Sequence, residues 1–262
     1  MNNGLALDVA FDFGLDELAP ADDTSAEEAE TFSSADLSAL SHHHTAPNGS
    51  HSFVVAHDRS VTWGIPGEPQ VVAVMVARDL GQSTFTMETS YHAAVPFAQN
   101  WLAERGCPPE HIALVGDDFV QPADDLTLRV EQQIRDSGTR YEVLDTYTSD
   151  DEPCETWTLA RDSHASEAPI RVFLQEWDLD AGTYSMREGA FADAGTAQSW
   201  LDDRGDPLPE PPEYRAGHGA VDRARVAIAR SAGAASTANF GPEAPRTPLT
   251  GPLPRPVQGR LR

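Results

Sequence analysis

Hydrophobic and polar residues alternate with period two through several short segments and switch to three-and-four spacing between them, a pattern of strands interleaved with amphipathic helices. Val71, Ala73 and Met75 recur every second residue, as do Ile170, Val172 and Leu174, and each set predicts a strand with one inward face. Phe85 with Met87, and Tyr184 with Met186, predict a following strand in each place. Ala98, Trp101, Leu102 and Arg105 then share one side of a helix, as do Ala197, Trp200, Leu201 and Arg204. Pro96 suits a first helical turn, Asp193 is placed to cap the second helix, and Gly106 and Gly205 suit left-handed helix ends.

These paired segments lie at one constant offset of 99 residues, which also carries Glu68 onto Glu167, Asp79-Leu80 onto Asp178-Leu179, Gln99 onto Gln198 and Pro108 onto Pro207. Roughly a third of positions 68–108 match, against about one in fifteen expected from average composition, so the chain carries one unit twice. Upstream, Ser60–Trp63 and Glu155–Leu159 predict an earlier strand in each copy, and Arg140–Thr148 predicts another whose looser counterpart is His51–His57. Leu126, Val130 and Ile134 recur every four residues between Asp124 and Gly138, predicting a helix over Ala123–Ser137 with a weaker counterpart at Ser34–Leu40.

The fold class that follows is α+β: two tandem copies of a small antiparallel sheet with a packed helix, and flexible termini. The boundaries are an acidic N-terminal arm over 1–50, a first repeat over 51–122, a second over 123–213, and an Arg-, Pro- and Gly-rich tail over 214–262 whose composition rarely forms a core. Within the arm, Leu5, Leu7, Val9, Phe11, Phe13 and Leu15 alternate with small or acidic residues and predict a β-strand at 5–15. A lone strand cannot satisfy its backbone, so these six residues are expected to join this protein's sheet or to pair with the edge of a partner.

Charge changes the picture of what the chain binds. The formal net charge is -24, and every basic residue is Arg; this bias, with abundant Ala, Asp, Pro and Gly, fits a GC-rich bacterial genome. Residues 1–50 hold ten acids and no Arg, 51–213 thirty acids and ten Arg, and 214–262 two acids and eight Arg. An acidic body disfavours direct contact with nucleic-acid phosphates outside the Arg-rich tail, because that affinity comes from Lys and Arg displacing counterions. It leaves open DNA mimicry by rows of carboxylates. Cys107 and Cys154 form no CxxC pair, and no apolar run is long enough for a membrane-spanning helix, so a cytoplasmic protein without membrane contact is expected.

Chemistry-bearing motifs are sparse. No phosphate loop, GxSxG elbow or HExxH occurs, and no cofactor is expected. His42-His43-His44 with His51 and His57 offers imidazoles for a metal, but the run adjoins a linker composition and no metal site is assigned. Asp178, Asp180 and Gly182 fit a hairpin turn better than a calcium loop, whose closing glutamate is replaced by Gly189. Glu88, Glu176, Asp178 and Glu188 near strand ends are the candidate catalytic carboxylates of a glycosidase-type hydrolase. Against that, acids are abundant enough for such pairs to arise freely, and the expectation is a non-enzymatic protein acting through protein–protein binding.

Overall fold

The computed structural model describes residues 10–45, 49–61, 67–113 and 120–214. The first repeat comprises β1 (Ala19–Pro20), α1 (Asp23–Thr31), β2 (Leu37–His44), β3 (His51–Asp58), β4 (Val71–Asp79), β5 (Thr84–His92), α2 (Val95–Glu104) and α3 (Pro109–Ile112). The second comprises β6 (Gln121–Pro122), α4 (Asp125–Arg135), β7 (Tyr141–Ser149), β8 (Glu155–Asp162), β9 (Ile170–Asp178), β10 (Thr183–Phe191) and α5 (Ala194–Asp203). The sheets run β1-β5-β4-β3-β2 and β6-β10-β9-β8-β7. Each is antiparallel except for its two-residue first strand, which lies parallel to the last. The duplicated α+β architecture stands, with mixed rather than purely antiparallel sheets; a two-residue strand is too short to leave a period in the sequence.

The duplication extends further upstream than residue identity shows. β4, β5 and α2 map onto β9, β10 and α5 residue for residue. β2 and β7 carry the same β-bulge, at Leu40 and Leu144. The first helices share a device: Asp22 and Asp124 cap them by accepting from the N–H groups of Ser25 and Thr127, at 2.7 and 2.8 Å. The hydroxyls of Ser25 and Thr127 in turn accept from Met87 N and Met186 N, both at 3.2 Å, tying helix to last strand.

Three expectations are corrected here. Ser34–Leu40 is not a helix: Leu37 opens β2, and the counterpart of α4 is α1, whose Ala- and Glu-rich sequence has no large apolar stripe to reveal it. The counterpart of Glu155–Asp162 is His51–Asp58, and that of β7 is β2; no strand begins at Ser60, and 62–66 lie outside the described residues. The first repeat therefore begins inside the stretch expected to be an arm, because β1, α1 and β2 are built into its sheet.

Both faces of each sheet are covered, and β4 is accordingly a continuous apolar run, buried from Val71 to Val76. Val72, Val74, Val76, Phe85 and Met87 form one face with α1. Val71, Ala73 and Met75 form the other with Ala98 and Leu102 of α2. In the second repeat α4 packs with Phe173 and Met186 on one face, and Leu201 of α5 with Val172 and Leu174 on the other. The repeats meet through α2, whose Phe97 stands edge-on to Phe173 with ring centres 5.4 Å apart. Asn100 and Gly138 exchange two hydrogen bonds of 3.0 and 2.8 Å across the same junction.

Of the proposed N-terminal strand, Leu5, Leu7 and Val9 lie outside the described residues. Residues 11–15 are irregular, not a strand, with Phe13 buried and Phe11 and Leu15 packed beside it on the α1 face of the first sheet. Phe32 covers both rings, at 6.2 and 5.6 Å. These three side chains pack in or against the chain's own core. Their period of two arises because a segment draped over a sheet contacts it with alternate residues without pairing its backbone with a strand; Arg78 of β4 donates to Phe13 O at 2.5 Å.

The tryptophans also sit differently from a simple core. Leu102 and Leu201 are the buried helix anchors, while Trp101 and Trp200 are half-buried at the margin. Each carries the following arginine on its ring, with Arg105 3.5 Å and Arg204 5.0 Å from the ring centres. Each arginine also reaches a strand carboxylate, Glu88 at 2.8 Å and Glu155 at 2.7 Å.

Candidate functional site

The four candidate carboxylates are not brought together. Glu88 is on the α2 face of the first sheet and is held by Arg105. Glu176 and Asp178 lie on the α5 side of β9, Glu176 exposed and Asp178 accepting from Ala181 N in the hairpin turn. Glu188 stands on the opposite face of the second sheet, beside Met186. Asp79 makes the matching turn in the first repeat by accepting from Gly81 N and Gln82 N, so these aspartates are turn residues. A glycosidic bond needs two carboxyls facing one sugar; of the four, only Glu176 and Asp178 share a face, and Asp178 is engaged in the turn.

What Glu188 does join is a buried ionic cluster that sequence reasoning missed. Arg171, 1 % exposed, replaces the first repeat's Val72 on the inner face of β9. Its Nη2 lies 3.0 Å from Asp162 and 2.5 Å from Glu213, and its Nη1 3.5 Å from Glu188. Arg140 binds Asp162 through two further bonds of 2.8 and 2.6 Å. Tyr214 Oη and Gln133 Nε2 donate to Glu188 at 2.6 and 3.0 Å. Glu213 and Tyr214 arrive on the segment after α5, which is held to β10 by Ala190 N donating to Pro209 O at 2.9 Å.

The two buried acids respond in opposite directions. Burial pushes Glu188 above the usual carboxylate range, and the Tyr214 bond, the charge of Arg171 and the Gln133 bond only partly offset it. Burial also pushes Asp162 up, but the Arg140 bonds, the His164 N–H and the charges of Arg140 and Arg171 outweigh it and hold that group low. The cluster borders a polar recess of about 500 Å³ that includes His164 and Ser166. Each of its three carboxylates is bonded to arginine or tyrosine, so the group closes the structure rather than offering a free acid–base pair.

The histidine run is likewise dispersed. His43 stacks on His111 with ring centres 4.1 Å apart, His44 bonds Ser52, and His57 bonds Gln70. Among the described residues no group of three or more His, Cys, Asp or Glu is disposed to hold a metal ion. None of their helices is long and apolar enough to cross a membrane.

The surface feature that distinguishes the repeats is the outer edge of each sheet. In the first, α3 packs along β2 and β3. In the second, α4 packs on edge strand β7 at its first residue, Tyr141, whose hydroxyl accepts from Gln133 Nε2 at 2.6 Å, and Gly67 N donates to Thr148 O near its end at 3.1 Å. Between these points Val143 and Leu144 are 45 and 36 % exposed beside exposed Glu142 and Asp145. An open strand edge presents unpaired backbone donors and acceptors. Comparison with protein families, curated proteins and solved structures finds no match to the chain.

Proposed function

We propose that the chain is a non-enzymatic, cytoplasmic bacterial protein that binds a partner protein by pairing a basic, extended segment of that partner along the edge of β7. The observation that carries this reading is the exposed middle of edge strand β7, over 142–145, where α3 packs beside the matching β2 in the first repeat. Edge pairing draws affinity from main-chain hydrogen bonds and specificity from alternate side chains, and Val143 and Leu144 supply the apolar contacts. Glu142, Asp145 and thirty acids against ten arginines over 51–213 favour a cationic strand. The free thiols of Cys107 and Cys154 fit a reducing compartment.

Binding of an alternating Arg/Val peptide, followed by fluorescence anisotropy, tests the reading. Val143→Arg with Leu144→Arg, which removes the apolar contacts and repels the cationic strand, is expected to weaken binding at least about tenfold without unfolding the exposed edge, and an alternating Glu/Val peptide is expected not to bind. Equal affinity of the variant, or failure of the basic peptide to bind, overturns it.

A further inference from the structure

At the end of β9 away from Arg171, the two repeats enclose a second cavity, of about 250 Å³. Leu40, Val71 and Val95 of the first repeat and Trp177 of the second give it apolar walls, and Leu179, 74 % exposed, marks its opening to solvent. A polar relay crosses one side: His57 Nε2 lies 3.0 Å from Gln70 Oε1, and Gln70 Nε2 donates to Asp150 at 2.9 Å. Thr156 also lines the cavity, is 2 % exposed, and its hydroxyl has no hydrogen-bond partner. A buried hydroxyl without a partner is costly to keep, and the cost is removed when a bound molecule supplies the missing bond.

We propose that this cavity binds a small aromatic molecule of one or two rings carrying a single uncharged hydrogen-bonding group, which pairs with the Thr156 hydroxyl while the ring lies among Val71, Val95 and Trp177. Size supports the class, since an apolar cavity of about 150 Å³ already admits benzene. Charge narrows it: among the described residues Asp150 is at the wall and no arginine is, which disfavours a carboxylate. The site stands whether or not β7 binds a peptide.

Phenol, toluene and benzoate are the probes, and alkylation of Cys154 by N-ethylmaleimide is the readout. Cys154 lines the cavity and is partly exposed, whereas buried Cys107, its thiol pushed up to about 12 by burial and then by the charge of Glu110, stays unreacted. Phenol and toluene are expected to slow the reaction at least about fivefold at saturation, and benzoate to leave it unchanged. Thr156→Val removes the hydroxyl at nearly constant shape; it is expected to weaken phenol about tenfold and toluene not at all. Benzoate protecting as well as phenol, no protection by phenol or toluene (a cavity that holds water only), or equal phenol affinity in Thr156→Val overturns the proposal.

Discussion

Replacing His92 by Phe, the residue that the second repeat carries at the equivalent Phe191, should remove a specific acid sensitivity of the fold. His92 ends β5 with its ring edge-on to Trp101, centres 6.3 Å apart, and its Nε2 is buried without a partner. Burial, and then the charge of Arg105, lowers its pKa from 6.5 to about 4. The unfolded chain therefore takes up a proton below about pH 6.5 that the folded chain refuses, so the stability gained from a neutral His92 is complete above that value and is lost as pH falls. The shift gives a loss of about 2 kcal/mol between about pH 7 and about pH 5. Urea unfolding followed by far-ultraviolet circular dichroism, at both pH values, measures it for wild type and His92→Phe. The variant should lose about 2 kcal/mol less than wild type over that interval. An identical loss in both proteins would show that His92 protonates freely in the fold and refute the reasoning.

Three further outcomes follow from the packing. Arg171→Val, restoring the first repeat's Val72, leaves buried Glu188 without its cation and Asp162 with Arg140 alone, and should cost about 3–5 kcal/mol in denaturant unfolding. Adding Glu188→Thr, after Thr89, should recover at least about 1 kcal/mol of it. Leu102→Ala should cost about 2–5 kcal/mol and exceed the cost of Trp101→Ala, because the leucine is fully buried and the tryptophan half exposed under Arg105. Ser83 holds φ 54° where the matching hairpin has Gly182 at φ 64°, so Ser83→Gly should raise stability by about 0.5–1 kcal/mol and Gly182→Ser lower it by a similar amount.

The duplication was legible wherever letters and periodicity repeated together, over β4, β5 and α2 and their copies. It was hidden in α1 because that helix contributes only Ser25 as a buried residue, and its role rests on hydrogen bonds rather than an apolar stripe. Period two in Phe11, Phe13 and Leu15 correctly marked a face that seeks burial, but a side-chain pattern does not reveal whether the backbone pairs. The ionic cluster had one signal available: Arg171 and Glu188 replace Val72 and Thr89 at matched positions, the opposite-charge pair expected if two interior sites changed together. The exposure of β7 over 142–145, against β2 with α3 beside it, left no local trace, because it depends on where α3, outside the repeated pattern, comes to rest.

Hydrogen–deuterium exchange of the full chain, with and without the alternating Arg/Val peptide, tests the edge-binding account most directly. The account predicts that protection rises in residues 141–149 and extends little beyond β8, as new backbone bonds form along one strand. Protection confined to another surface, or peptide binding that leaves the β7 amides exchanging at their free rate, would contradict it.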